Sequence, residues 1–140
     1  MVGHLDKTLE QLDGHILAAP EYDSVLVLTC HRLRRVPLNE FSAEDVRVMI
    51  GQDLSLEYLM PIAIEHLEKN PFVKGDYYPG DLLKNALGVR CDFWEQHPEL
   101  RQRMEVIAAN AAHGLPSLQV IDEIRQDLGE KLDAFAAKHN

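Results

Sequence analysis

Seven histidines, two cysteines and 23 acidic residues give this 140-residue chain groups that elsewhere hold metals, move protons or attack carbonyl carbons. Their spacing assembles none of those chemistries. The histidines stand at 4, 15, 31, 66, 97, 113 and 139, with no HExxH or HxH pattern to close on a metal. His66 lies beside Glu65 and near Glu68, but neighbouring helix positions do not converge on one ion. Cys30 and Cys91 are isolated, and neither belongs to a CxxC pair. Cys30 precedes His31, yet adjacent helical side chains point about 100° apart, which does not make a nucleophile and its base. GxSxG, Walker and GxGxxG sequences are absent. Metal binding or acid–base catalysis would need distant residues, such as His31, His66 and Asp81, to meet in the fold. The expectation is a protein that is not an enzyme, with no catalytic residue, no metal and no cofactor.

What the side chains offer instead is recognition by charge. The net charge is -9. That sign opposes direct nucleic-acid binding, where phosphates call for Lys and Arg, and speeds encounter with a basic protein. Residues 24–35 carry three arginines and no acid, whereas residues 36–68 carry seven acids and one base. Glu40, Glu44, Asp53 and Glu57, within that acidic run, are the first candidates for partner contact. Asp76, Tyr77, Tyr78 and Asp81, clustered in GDYYPGD, are the second, because aromatic residues on irregular segments often anchor partners. A simpler account gives the same residues to the fold. Surface acids then solvate helix faces, the GDYYPGD carboxylates serve turn and cap, and the tyrosines pack over a helix start.

Helices must position these groups. Leu5, Leu9 and Leu12 have helical spacing, interrupted by Gly14 and Pro20. After Glu21-Tyr22-Asp23, Ser24 or Asp23 caps a second helix that turns Val25, Leu28 and Leu33 to the core and places Arg32, Arg34 and Arg35 at its C-terminus. Pro37 prevents its continuation. Ser42 and Asp45 form a capping box, with Phe41 and Val46 as its hydrophobic staple. Met49 and Ile50 continue that helix, and Gly51 is expected to stop it in the left-handed conformation. Asp53 or Ser55 caps the next helix, where Leu56, Leu59, Met60, Ala63, Ile64 and Leu67 make one broad apolar face. Pro61 predicts a kink within it, and Asn70-Pro71 its end. Gly75-Asp76 reads as a turn, and Pro79 as the first residue of a helix with Asp81 at its third position. Leu82, Leu83, Ala86 and Leu87 give its inner face. Phe93 and Trp94 sit in a short helical turn, followed by a helix opened by Pro98 with Leu100, Met104, Ile107, Ala108 and Ala111 inward. Pro116 is expected to open the last helix, with Val120, Ile121, Ile124, Leu128, Leu132 and Phe135 inward and Glu123, Asp127 and Glu130 on the outside. Its tail from Ala136 is expected to fray.

The predicted fold class is therefore all-α, a single compact domain of about six to seven helices spanning residues 1–140. That length suffices for one core, and the low aromatic content of 6% makes it largely aliphatic. No apolar run exceeds four residues, as in Val25–Leu28, far short of the roughly 20 residues of a membrane span. The start, MVGHLDKTLEQLDGH, has no charged-then-apolar signal pattern, so the expected compartment is the cytoplasm, with both thiols reduced and partly buried.

One set of sequences, in order, carries a resemblance: PLNEFS, RVMIGQ, LEYLMPIAIEHLEKNP, GDYYPGDLLKNAL and DFW. Together they resemble the immunity proteins of bacterial contact-dependent growth inhibition systems, over roughly Tyr22 to Trp94. The resemblance implies a cytoplasmic protein that binds the C-terminal toxin domain delivered by a neighbouring sibling cell, blocking its active site or its access to substrate. Toxins of such systems are commonly nucleases. No binding residue transfers with the motifs, which read mainly as helix starts, stops and core positions. The expected partner is a cognate toxin domain, with no membrane involved and a monomer favoured. The alternative from the residues alone is a small helical adaptor whose groove holds a partner helix or peptide.

Overall fold

Capping and apolar periodicity account for most of the helices in the computed structural model, which describes residues 5–17 and 24–139, the last by its backbone alone. His4, Pro20, Glu21-Tyr22-Asp23 and Asn140 lie outside the described residues. Eight α-helices are assigned among those described, six of them seven residues or longer. They are α1 (Leu9–Asp13), α2 (Val25–Leu33), α3 (Ala43–Gly51), α4 (Leu56–Lys69), α5 (Asp81–Leu87), α6 (Cys91–Gln96), α7 (Pro98–Gly114) and α8 (Asp122–His139). The architecture is all-α. No described helix is long and apolar enough to cross a membrane.

The centre is α4. Leu59, Met60, Ala63, Ile64 and Leu67 are fully buried on it, and it packs against α3, α5 and α7. Helix α8 closes the other side by packing on α7 and α5. Trp94, from α6, is wholly buried and meets the edge of Phe135 from α8 with ring centroids 5.9 Å apart. Helix α2 is peripheral and packs chiefly on α3. The capping box of α3 is present: the Ser42 hydroxyl accepts from the Asp45 amide and the Asp45 carboxylate from the Ser42 amide. Phe41 and Val46, its staple, are both buried. Thr8 and Gln11 make a second capping box, so α1 begins at Leu9 rather than at Leu5.

Several expectations are corrected. Gly51 does not adopt a left-handed conformation; it is the last helical residue of α3. Its lack of a side chain serves packing, since a Cβ there would lie 2.7 Å from Asn85 Nδ2. The left-handed non-glycine residues among those described are Asp53 (φ 62°) and Ser55 (φ 52°). Ser55 occupies the N-cap of α4 without a side-chain capping bond, and Pro61, where a kink is expected, lies inside that helix. Pro79 does not open α5. It forms an isolated antiparallel bridge with Lys74, Gly80 takes φ 99°, and Asp81 is the first helical residue. Gly80 is required by that conformation and by space, because a Cβ would lie 2.8 Å from Leu128 Cδ1. Pro116 belongs to a 3-10 turn (Leu115–Ser117) that follows α7. Arg125 fixes this turn by donating to the carbonyls of Leu115 and Val120. Helix α8 therefore starts only at Asp122, leaving Ile121 exposed and Val120 and Ile124 half-buried. Asp127 is not a free outer acid, since it bridges Lys84 at 3.4 Å and Lys131 at 2.7 Å. Cys91 is exposed rather than partly buried. Val25 and Leu28 point to solvent; only Leu33 of the three core candidates on α2 is buried.

Candidate functional site

The acidic and aromatic candidates divide between residues that hold the fold and residues that face outward. Between α4 and α5 the chain has little regular structure of its own, so its amides need outside acceptors. Asp81, only 3% exposed, supplies two of them. Its Oδ1 accepts from the Gly75 amide at 2.7 Å, and its Oδ2 from the amides of Tyr77 at 3.0 Å and Tyr78 at 3.5 Å. Glu44, from the first turn of α3, accepts from the Asp76 amide at 2.9 Å. It also takes a two-pronged bond from Arg47 Nε and Nη2, both 2.6 Å. Arg47 Nε lies 3.8 Å from Asp81 as well. These bonds from Arg47, followed by burial acting in opposition and the Asp76 amide in support, hold the Glu44 carboxyl below its ordinary value. Arg47 is raised, mainly by its bond to Glu44.

This charged knot carries Tyr77. Its ring lies over the Arg47 guanidinium, 4.6 Å from centroid to Cζ, and the residue is 69% exposed. A cation beneath the ring and a pinned backbone restrict an aromatic that is otherwise in solvent. Tyr78 is half-buried beside Lys84. Asp76 is exposed and its carboxylate has no ion pair among the described residues. The structure thus brings Glu44, Asp76, Tyr77, Tyr78 and Asp81 together. It does not bring Glu40, Asp53 and Glu57 into that group. Asp53 pairs with Arg90 at 2.6 Å, and Arg90 also reaches Asp92. Glu40, in the 3-10 turn Leu38–Glu40, and Glu57, in the first turn of α4, are exposed and have no ion pair among the described residues.

Among the described residues no group of three or more His, Cys, Asp or Glu could hold a metal ion. His31 lines a groove on α2, His66 is half-buried on α4, and the Asp81 carboxylate is occupied by backbone amides. Burial, with Lys69 nearby, lowers the His66 imidazole, and burial raises the Cys30 thiol.

The groove on α2 is a feature that sequence reasoning missed. It encloses about 440 Å³ between α2 and the turn joining α3 to α4. Leu17, Leu26, Val27, Cys30, Met49 and Leu54 line it. Around it Val25 is 79% exposed, and Ile16, Leu26, Val27, Leu28 and Leu54 are also exposed. The signal was present: four consecutive apolar residues, Val25–Leu28, cannot all face inward from one helix. On the groove wall, Arg34 is neutralised by Asp13 through bonds of 2.7 and 2.8 Å. Its Nε is buried and has no acceptor among the described residues.

The model of a family described as CDI immunity proteins matches residues 11–104, two thirds of the chain, and takes in α2 to α6, the charged knot and the groove; the chain belongs to that family. No curated protein matches it.

Proposed function

We propose that this chain, as one of the CDI immunity proteins, binds the C-terminal toxin domain delivered by a neighbouring cell and blocks its active site or the approach of its substrate. The single observation that carries this reading is the family match over residues 11–104. The toxin is a nuclease, and the immunity protein meets the basic face on which that enzyme holds nucleic acid. Support for this electrostatic form comes from the exposed residues Glu40, Glu57 and Asp76, whose carboxylates have no ion pair among the described residues. Tyr77 beside Asp76 provides an aromatic anchor whose freedom is already reduced. Tyr78 is half-buried and Asp53 is paired with Arg90, while the carboxylates of Glu44 and Asp81 act through the fold. The protein works in the cytoplasm as a monomer formed by residues 1–140, by binding rather than catalysis and without a cofactor.

The test is inhibition of the toxin domain's nucleic-acid cleavage by the purified chain, with protection of co-expressing cells. The variant Glu40→Lys, Glu57→Lys, Asp76→Lys is expected to associate about tenfold more slowly and to lose most of its salt dependence. Unchanged association and protection by this variant, folded, would reject the electrostatic part. Failure of the native chain to inhibit would reject the neutralising role itself.

A further inference from the structure

Among the described aromatic residues, Phe41, Phe93, Trp94 and Phe135 are buried, Tyr58, Phe72 and Tyr78 are half-buried, and Tyr77 alone is 69% exposed. Its place is nonetheless fixed from two directions. The Tyr77 amide donates to Asp81 Oδ2 at 3.0 Å. The ring lies over the Arg47 guanidinium, 4.6 Å from Cζ to centroid. Arg47 is itself held at both ends: its guanidinium forks onto Glu44, and its backbone carbonyl accepts from Asn85 Nδ2 at 2.9 Å. One arginine therefore joins α3 to α5, and the exposed ring rests on it.

The fold gains little from that ring. The amides of Gly75, Asp76 and Tyr77 are met by Asp81 and Glu44, through bonds that any side chain at position 77 would allow. The charge of Arg47 is already answered by Glu44 at 2.6 Å and Asp81 at 3.8 Å. What the arrangement does supply is order. A side chain already held in place gives up less freedom when a partner covers it. Arg47 can cover only one face of the ring, which leaves the other face and the edge to account for the exposure. Charge nearby is mixed, since Lys74 and Asp76 are both exposed. The ring, rather than a charge, is what this tip of the segment offers.

We propose that Arg47 is a positioning residue for toxin recognition: it holds the Tyr77 ring as a preformed anchor, and an apolar recess on the toxin domain receives the open face of that ring. This inference rests on the toxin-neutralising reading and adds to it what keeps the aromatic contact ready. Tyrosine suits the role because it brings a large amphipathic surface with few rotatable bonds. The outer acids then steer encounter, and the ring sets how long the complex lasts.

The experiment measures binding of the full chain to the toxin domain, with urea unfolding alongside. Tyr77→Ala is expected to weaken binding by about 30-fold or more, chiefly through faster dissociation, while its urea midpoint stays near native. Tyr77→Phe keeps the ring and should stay within about threefold of native. Val106→Ala, on α7 where Val106 is 62% exposed, is the control and should be unchanged. Arg47→Lys keeps the charge facing Glu44 but gives up the fork and the planar stack, and should weaken binding about fivefold. Made in a chain that already carries Tyr77→Ala, the same change should have no further effect. On the native chain, nitration of the Tyr77 ring by tetranitromethane should slow when toxin domain is added, a reading that needs no variant. Tight native binding with Tyr77→Ala and nitration both unaltered overturns the anchor and leaves the toxin reading standing. A native chain that fails to bind overturns both. An Arg47→Lys loss of equal size with and without Tyr77→Ala would make Arg47 structural and overturn its positioning role. A lowered urea midpoint for Tyr77→Ala with toxin binding intact would assign the ring to shielding the Arg47–Glu44 pair, and also overturn the proposal.

Discussion

Residues 72–81 and residues 24–34 both meet α3 and treat their side chains in opposite ways. The first segment has irregular backbone but leaves few polar groups unmet: Asp81 and Glu44 accept its amides, and Arg47 ties the two acids together. The second is a regular helix, capped by Ser24, that leaves Val25 to Leu28 in solvent and Arg34 Nε without an acceptor. Irregular structure is thus the tightly determined part, and regular structure the part left open. The contrast teaches that carboxylates near a surface are not necessarily available to a partner. A hydrogen bond already made inside the chain has to be broken before the group can bind elsewhere, whereas exposed apolar area is released from water by any complementary surface.

The largest effect should come from removing the acceptor on which the irregular segment depends. Asp81→Ala leaves the amides of Gly75 and Tyr77 without their acceptor and Arg47 with one counter-charge fewer. Urea unfolding should show a loss of about 3 kcal/mol, from unsatisfied buried donors and a disrupted charge network. A loss below about 1 kcal/mol would mean that water replaces the carboxylate, and the claimed difference between the regions would fail.

A smaller effect is expected at Glu44. Glu44→Gln keeps the shape but removes the charge from a pair whose side chains are 19% and 16% exposed, and should cost about 1–2 kcal/mol. The same group gives a pH dependence with a definite sign. Its carboxyl is lowered from the ordinary 4.5, so it binds fewer protons folded than unfolded near that pH. Its contribution is complete above 4.5 and is lost as pH falls through the lower folded value. The slope of unfolding free energy against pH below 5 should therefore be shallower in Glu44→Gln than in the native chain. An identical slope would remove Glu44 from the account of acid sensitivity.

What was legible in the sequence follows the same division. The Ser42 capping box, the α4 apolar face and the Pro98 helix start could be read because each depends on residues within a few positions of one another. Asp81 was legible as a turn or cap residue but not as the acceptor of three amides, since that role depends on the chain folding back from Gly75 to Tyr78. Gly51 was misread for a related reason: its requirement comes from Asn85 on another helix, not from the local backbone. The outer acids Glu40 and Glu57 were named from charge and Asp76 from its place beside the GDYYPGD tyrosines, and the structure leaves all three residues exposed. The groove went unread because Val25 and Leu28 were assigned inward, whereas burial is settled by how few elements pack on α2.

The smallest predicted effect is also the sharpest probe of the open region. Val25 is 79% exposed at the first position of α2, immediately after its Ser24 cap. Placing an acid there loses almost no buried apolar contact and puts negative charge at the positive end of the helix. Val25→Glu should therefore leave stability within about 0.5 kcal/mol of native, with any change on the stabilising side. The same substitution at a covered position would cost several times as much, because an unpaired carboxylate would be buried. A measured loss above about 1 kcal/mol would show that α2 is covered within its own chain. The contrast between the pinned segment and the open helix would then collapse.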